Sequence, residues 1–307
     1  METKACSSFG DLAELVGNIA RTDGDFRTPI PALMLSRAGA ATHPVPCIYG
    51  LGLGLIVQGS KQVTLGDEIF HYAAGQSLIT TVDLPVMSYV TRASTEEPYL
   101  GLWLKLDAPI IAQLAAEMEF ATSLPVSTTR AMSVETLDED TKLALTRLVQ
   151  LLSEPQLIPH LAPLIQQEIV VRLMQGGHGP HLRRLVAAGS PNQQIAKIIA
   201  WLKLHYSQDV RMDDLAARAH MSPSTFRRHF RIVAGMSPLQ YVKNLRLQDA
   251  RQLMLNDNLD AGSAAVRVGY ESASQFSRDY SRLFGEPPHR DIQAIRRFTM
   301  PESAQHD

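Results

Sequence analysis

Residues 215–230 read LAARAHMSPSTFRRHF, and residues 264–280 read AAVRVGYESASQFSRDY. Each run begins with small and apolar residues at helical spacing, passes through a turn, and continues from a serine into a second amphipathic run. Each therefore predicts a short helix, a tight turn and a second helix, with arginine on one face and aromatic side chains on the other. The C-terminal part of the chain is organised around this pair of similar units.

The first unit shows where its second helix begins and which face is buried. Ser222 is a good N-cap and Pro223 a good first residue. Phe226 and Phe230 are four positions apart, so we expect them on one face, in the core. The spacing leaves four side chains on the outer face near the start of this helix: Ser224, Thr225, Arg227 and Arg228.

The second unit follows the same plan with different side chains. Gly269 supplies its turn, and Ser272 caps the helix that follows. Its leading helix contains Gly262, which costs about 1 kcal/mol relative to alanine, so we expect packing to hold this helix. The outward face of the second helix carries Ser274, Gln275, Ser277 and Arg278.

These outward side chains are of the types that contact the edges of DNA bases. Arginine can donate two hydrogen bonds to guanine, glutamine can form two with adenine, and small hydroxyls contact bases or phosphates. A recognition helix presents such groups near its N-terminal end when it enters the major groove. We therefore expect base contacts from the four outward residues of each unit.

The charge is distributed unevenly along the chain. Residues 1–189 carry 13 Lys and Arg against 19 Asp and Glu, whereas residues 190–300 carry 16 against 10. A basic C-terminal part suggests that this part alone meets a polyanion, and the alternative is ordinary surface charge.

The remaining composition indicates a cellular setting. Two cysteines, Cys6 and Cys47, cannot form a disulfide scaffold. No basic and then apolar start marks a signal peptide, and no apolar run is long enough to span a membrane. A reducing, cytoplasmic setting is therefore expected. Cys47 is interpreted as a small buried apolar residue, with a thiol sensor as the alternative.

The sequence pattern of the N-terminal half changes from β-type to helical near residue 107. Residues 33–106 contain short β-type runs split by Gly, Pro and Asp, which predict a small barrel or sandwich. Beyond residue 107, apolar spacing predicts amphipathic helices at 109–120, 138–152 and 157–174. These helices are long enough to pack on the barrel and on each other, and the alternative is that one packs on its twin in a second subunit. The predicted fold class is α+β.

The predicted barrel lacks the residues of a metal or catalytic site. His43 and His71 are its only histidines, whereas cupin-type metal sites need about three together with a carboxylate. We therefore expect no metal and no cofactor. No nucleophile elbow or phosphate-binding glycine loop occurs, which disfavours an enzyme that carries a DNA-binding tail. A small barrel can hold one ligand, for which Tyr49, Tyr89 and Trp103 are either pocket walls or plain core.

The order and spacing of the C-terminal residues resemble a known family. Residues 195–293 look like the DNA-binding domain of the AraC/XylS family of bacterial transcription regulators. The resemblance is carried by Leu215-Ala216, Ser222, residues 226–230, residues 235–238 with Tyr241, Arg246 with Ala250, and residues 268–272, 275–278 and 284–288. The sequence departs from the family pattern at Arg290-Asp291, where Tyr-Arg is common, and at His220, where a glycine is frequent.

The N-terminal half resembles the cupin-like regulatory domain of one branch of that family. The resemblance is carried by Pro29-Ile30-Pro31 and by residues 53–57, 72–76, 82–86 and 102–107. It implies a cupin-like β-barrel with packed helices, followed by an all-α domain. The expected boundaries are 1–180 for the regulatory and dimerisation domain, 181–194 for a linker, 195–293 for the double helix-turn-helix domain and 294–307 for a tail.

The resemblance also implies a function. Two helix-turn-helix units joined by one long helix would enter adjacent major-groove segments of double-stranded promoter DNA. Phosphate contacts would come from Ser222, Lys243, Arg246, Arg251 and Ser272, with a structural ion pair as the alternative for Arg246. The implied partners are a small-molecule effector in the barrel, a second copy of the chain and RNA polymerase. The alternative is a ligand-independent regulator whose barrel only dimerises.

Overall fold

The computed structural model of the chain describes residues 8–119 and 127–299. Cys6, the last residue of the helix predicted at 109–120, and the end of the predicted tail lie outside these ranges. The N-terminal part begins with helix α1 (Ser8–Ile19) and continues into the strands. These are β1 (Gly24–Arg27), β2 (Leu33–Ala38), β3 (Val45–Tyr49), β4 (Gly52–Gln58), β5 (Ser60–Leu65), β6 (Glu68–Ala73), β7 (Gln76–Thr80), β8 (Leu84–Arg92), β9 (Tyr99–Lys105) and β10 (Met132–Thr136).

The strands form two antiparallel sheets. The larger has the order β1-β2-β9-β4-β7-β10, and the smaller has the order β3-β8-β5-β6. Strand β4 is buried along almost its whole length, because each of its faces meets a different layer. Leu53 and Leu55 pack on helices, whereas Gly54 and Ile56 alternate onto the side that faces the smaller sheet.

The described N-terminal part has four further α-helices: α2 (Ala108–Glu117), which lies between β9 and β10 in the chain, and then α3 (Glu139–Gln150), α4 (Ile158–Gln175) and α5 (Gly179–Val186). One apolar cluster joins α1, α3 and α4 to the outer face of the larger sheet, with Val16, Leu145 and Ile169 fully buried. The helices predicted from apolar spacing are confirmed, and they cover the larger sheet.

The C-terminal part is entirely helical between its loops. Its helices are α6 (Pro191–His205), α7 (Met212–Arg218), α8 (Pro223–Ala234), α9 (Pro238–Asn256), α10 (Ala261–Arg267), α11 (Ala273–Phe284) and α12 (Pro288–Thr299). Serine side chains cap α6, α8, α9 and α11 by accepting a backbone N–H of the first turn. In the described part of the chain, no helix is long and apolar enough to cross a membrane.

The first helical unit shares its core with the barrel. A single apolar cluster contains Val63 and Leu65 of the smaller sheet together with Phe226, Phe230 and Val233 of α8. The second unit has a cluster of its own, built from α9, α10, α11 and α12. The two units are therefore similar in sequence but are held in different ways.

Polar contacts reinforce the junction between the barrel and the first unit. The Tyr241 hydroxyl donates to the backbone oxygen of Asp83 at 2.8 Å, and Lys203 Nζ lies 2.9 Å from the Asp83 carboxylate. Arg130 forms an ion pair with Glu68 and donates to the carbonyls of Arg231 and Ile232, at the end of α8. The barrel thus holds the C-terminal end of α8 and leaves its N-terminal end uncovered by these contacts.

The structure differs from the sequence-based expectations in three places. Residues 181–194, predicted as a linker, are mostly helical, because α5 and the start of α6 occupy them. Apolar spacing predicts Leu239 on the core face of the long helix that begins at Pro238, but Leu239 is 62% exposed, because it lies on the outward side of α9 while Pro238 and Tyr241 are buried. Strands β1 and β10 lie outside residues 33–106, the range predicted to contain the strands, and they form the two edges of the larger sheet.

Candidate nucleic-acid interface and ligand cavity

Helix α8 is fixed by its cap, its turn and its aromatic core. Ser222 Oγ accepts the backbone N–H of Thr225 at 3.3 Å. Phe226 and Phe230 are fully buried, and their rings lie 5.6 Å apart in an edge-to-face arrangement. The residue that closes the turn before α8 is His220, whose φ of 53° is left-handed. The helix is therefore held by a cap at its start and by aromatic packing along its inner face, although a non-glycine residue occupies the turn before it.

The outward face of α8 carries free cationic groups. Ser224, Arg227 and Arg228 are exposed. Thr225 is half-buried, and its hydroxyl accepts a hydrogen bond from Ser222 at 2.8 Å. Within residues 8–119 and 127–299, neither arginine side chain has an ion-pair or hydrogen-bond partner. Both guanidinium groups are thus available to an external acceptor.

The second unit is built around a glycine turn and a strong cap. Gly269 has a φ of 87°, and a Cβ added there would lie 2.2 Å from the carbonyl oxygen of Ser207. Only glycine fits this turn. Asp260 caps α10 by accepting the N–H groups of Gly262 at 2.8 Å and Ser263 at 3.0 Å. Besides packing, this cap stabilises the helix that Gly262 weakens.

The outward residues of α11 are bonded to one another. The Gln275 amide donates to Asp279 at 2.9 Å, and Arg278 Nη2 donates to Gln275 Oε1 at 2.8 Å. Lys243 Nζ lies 3.0 Å from the same Asp279 carboxylate. Burial disfavours the charged form of Asp279, but the hydrogen bonds from Gln275 and Lys243 outweigh it and lower the pKa of this carboxyl. Ser274 is exposed and Ser277 half-buried.

The predicted phosphate contacts fall into two groups. Ser222 and Ser272 cap the two outward helices, which leaves the N-terminal N–H groups of these helices near the surface. Arg246, however, donates to three backbone carbonyls, those of Tyr206, Gly269 and Gln208, at 2.7 to 2.9 Å.

Arg251 is also bonded inside the fold. It pairs with Asp291 through two hydrogen bonds of 2.8 and 2.7 Å, and its guanidinium lies 4.5 Å from the centre of the Phe284 ring. Asp291 is visible in the sequence only as a departure from the family pattern. These contacts favour a structural role for Arg246 and Arg251 over the predicted phosphate contact.

A cavity of about 640 Å³ lies between the two sheets of the barrel. Tyr49, Tyr89 and Trp103, named from sequence as pocket walls or plain core, all line it. The Tyr49 hydroxyl is 2.7 Å from the Ser88 hydroxyl, and its ring lies 5.1 Å from that of Trp103. Sequence reasoning missed Lys61, Tyr72 and Tyr99, which also line the cavity, because only the strand pairing brings them to this face.

Two other features of the barrel bear on its chemistry. Cys47 also lines the cavity, and burial raises the pKa of its thiol to about 11, which favours the inert interpretation. Among the described residues, no group of three or more His, Cys, Asp or Glu is arranged to hold a metal ion.

Comparison with known proteins places both parts of the chain. Residues 29–181 match the family model of the AraC-type transcriptional regulator N-terminus, and residues 215–293 match a helix-turn-helix domain model. The virulence regulon activator VirF of Yersinia enterocolitica is 24% identical over 77% of this chain and 87% of its own length. ExsA of Pseudomonas aeruginosa is 29% identical over 44% of this chain, and the match spans only 48% of ExsA.

A solved structure has the same overall fold. Crystalline ToxT from Vibrio cholerae superposes with a TM-score of 0.53 over 85% of this chain and 97% of that one, at 10% sequence identity. The two matched family models, the paired helix-turn-helix units and the shared fold lead to one assignment. The chain belongs to the AraC/XylS family of transcriptional regulators.

Proposed function

We propose that the chain binds promoter DNA sequence-specifically through α8 and α11, and that a small molecule in the barrel cavity modulates this binding. The observation that carries the proposal is the outward face of α8. It presents two exposed arginines without partners in the described part of the chain, next to a serine-capped helix N-terminus. Such a face has the groups needed for the major groove, and among the described residues its two arginines have no competing contact.

In this proposal the eight outward residues divide the base contacts between the two helices. Ser224, Thr225, Arg227 and Arg228 act from α8, and Ser274, Gln275, Ser277 and Arg278 act from α11. The phosphate contacts come chiefly from the N-termini of these helices, capped by Ser222 and Ser272, and from Lys243. Phosphate contacts position the protein, whereas base contacts select the sequence.

The cavity supports the second half of the proposal. Its volume of about 640 Å³ lies within the usual range of small-molecule sites. Strand β3 lines the cavity on one side and contacts α9 on the other, where Gln248 donates to the carbonyl oxygen of Cys47 at 3.3 Å. A ligand that moved β3 would therefore act on the helix that joins the two units.

The DNA-binding half is tested by selecting genomic fragments on the full chain and measuring affinity for the selected operator from 50 to 200 mM salt. We expect the logarithm of the binding constant to fall linearly with the logarithm of salt, by about 0.9 for each phosphate neutralised. Scrambled operator DNA is the matched control. A flat salt response, or equal affinity for the scrambled sequence, would refute the proposal.

A second candidate is a regulator whose barrel only dimerises. It is favoured by exposed apolar side chains on the outer helices, Leu143 at 47%, Leu161 at 39% and Leu164 at 61%. Light scattering on the wild type and on Leu164→Glu tests the dimer, and thermal-shift screening against metabolites tests the ligand. Dimers that bind the operator but respond to no ligand would favour this candidate. We place both forms in the cytoplasm, where the DNA lies.

A further inference from the structure

We propose that the barrel cavity binds a small monoanion with a flat apolar body, and that Lys61 faces its charged group while Tyr49, Tyr99 and Trp103 enclose the body. The inference rests on the proposed function, because it names the chemical class of the molecule that the cavity accepts. It assigns a binding role to Lys61, a residue outside both helix-turn-helix units.

The first argument is the unpaired charge of Lys61. Its side chain is half-buried and lines the cavity. No carboxylate of the described residues lies within ion-pair distance of its Nζ atom. Other shielded lysines have such partners, since Lys142 lies 2.8 Å from Glu139 and Lys243 lies 3.0 Å from Asp279. A shielded ammonium without a counter-ion is unfavourable, so an anion that enters the cavity would be stabilised as the counter-ion of Lys61.

The aromatic rings near Lys61 stabilise its charge less than a carboxylate counter-ion would. Lys61 Nζ lies 5.6 Å from the centre of the Tyr49 ring and 5.8 Å from that of Tyr99. Both distances are close to the limit of about 6 Å for a cation–π contact. The rings therefore flank the ammonium and orient it, while its N–H groups have no hydrogen-bond partner among residues 8–119 and 127–299.

The second argument is that the strands are shaped to form flat aromatic walls. Trp103 lies directly across from Gly54 in the sheet register. A Cβ added at Gly52 would lie 2.5 Å from the indole ring, and one at Gly54 would lie 3.1 Å from it. The indole thus lies flat over the backbone of β4, which only glycine permits.

The same device places Tyr99. A Cβ at Gly101 would lie 2.4 Å from the Tyr99 hydroxyl, so this ring folds over its own strand. Burial raises the pKa of Tyr99 to about 12, and the hydroxyl therefore stays protonated and able to donate at neutral pH. Glycine thus makes room for two cavity-lining rings, and one of them, the hydroxyl-bearing ring of Tyr99, has its centre 5.8 Å from Lys61 Nζ.

The rim of the cavity argues for a single negative charge. Asp25 is exposed and accepts a hydrogen bond from Ser36 at 2.6 Å, and Asp23 lies 3.6 Å from Arg37. These carboxylates line the cavity together with Arg37, whose charge is paired with Asp23, and they repel an anion in proportion to its charge. A monocarboxylate passes them at a lower cost than a phosphate ester, and one ammonium then neutralises it.

The test compares 2-naphthoate with its uncharged amide, 2-naphthamide, by calorimetric titration of the full chain. We expect the wild type to bind the carboxylate about tenfold more tightly, the ratio that 1.4 kcal/mol produces. Lys61→Met should bind both probes equally, and Lys61→Arg should keep the preference. Lys105→Met, which removes an exposed lysine at the end of β9 in the larger sheet, should match the wild type.

Several results would overturn the proposal. They are equal binding of both probes by the wild type, binding of neither, tighter binding of 2-naphthylmethylammonium, or a carboxylate preference that survives in Lys61→Met. Lys61→Gln gives the same comparison if Lys61→Met does not fold, as judged by circular dichroism. Operator affinity of the wild type is measured in parallel: operator binding without naphthoate binding refutes this site alone, whereas absent operator binding by the wild type refutes the proposed function.

Discussion

The two recognition helices should contribute unequally to DNA binding, and the contacts of two arginines predict by how much. The comparison is Arg228→Ala in α8 against Arg278→Ala in α11, on the same operator. Arg228 is exposed and, among the described residues, has no partner to give up. Arg278 already donates to Gln275 Oε1 at 2.8 Å, and Gln275 is in turn bonded to Asp279.

The magnitude follows from this difference. A bidentate contact between arginine and guanine is worth about 1–3 kcal/mol, so Arg228→Ala should weaken binding by about 5- to 150-fold. Arg278 must first release a hydrogen bond of about 1 kcal/mol net. Its replacement should therefore cost about 1 kcal/mol less, which makes the loss roughly fivefold smaller.

Fluorescence anisotropy with a labelled operator at fixed salt measures both losses. Lys105→Ala, which removes one exposed charge from the barrel, controls for the change in net charge. Circular dichroism confirms that each variant is folded. Equal losses, a larger loss for Arg278→Ala, or no loss in either variant would contradict the argument.

Three further predictions concern stability and reactivity. Burial, with a smaller effect of His181, lowers the pKa of His178 from 6.5 to about 4. The unfolded chain therefore binds the extra proton first, and the free energy of unfolding should fall by up to about 3 kcal/mol between pH 6.5 and 4, measured by urea unfolding. His220→Gly should stabilise the chain by about 0.5 kcal/mol and Gly269→Ala destabilise it by about 2 kcal/mol, measured by melting temperature. Cys47 should react with a disulfide reagent at pH 7 roughly a hundredfold more slowly in the native than in the unfolded chain, since burial raises its pKa to about 11, measured in a Cys6→Ser background.

Each of these has a matched outcome that would contradict it. His178→Gln should lose the part of the acid sensitivity due to His178, and an unchanged pH profile would show that other groups carry it. A lower melting temperature for His220→Gly would mean that the imidazole makes a contact worth more than the strained backbone. Rapid modification of Cys47 in the folded chain would show that the barrel opens readily.

The starts of the recognition helices could be predicted from sequence because their causes are local. Ser222 and Pro223 are adjacent, and the cap forms with Thr225 only three positions away. Gly235 and Gly285 end α8 and α11 in the left-handed conformation, which glycine adopts without strain. The buried and outward faces follow in the same way from the helical period.

The polar partners of the candidate site could not be predicted, since they depend on residues far apart in sequence. Arg246 meets the carbonyl of Gln208, 38 positions away, and Arg251 meets Asp291, 40 positions away. An arginine on a helix looks the same in sequence whether its partner is a phosphate or the fold itself. Lys61 was missed for a related reason, because strand pairing alone decides which face of β5 meets the cavity.

The two adjacent glycines at the junction set the limits of exchange between related regulators. A Cβ at Gly66 would lie 2.2 Å from the carbonyl oxygen of Gly235, and one at Gly235 would lie 2.8 Å from Leu65. A chimaera joined near residue 190 would place the α8 of another regulator against the turn between β5 and β6. The C-terminal end of that helix must therefore fit against Gly66. The second unit has its own core, so a cut within α9 divides the chain more cleanly. We therefore expect that the second unit can be exchanged between related regulators, together with the half of the operator that it reads. The barrel and the first unit should be exchanged only together.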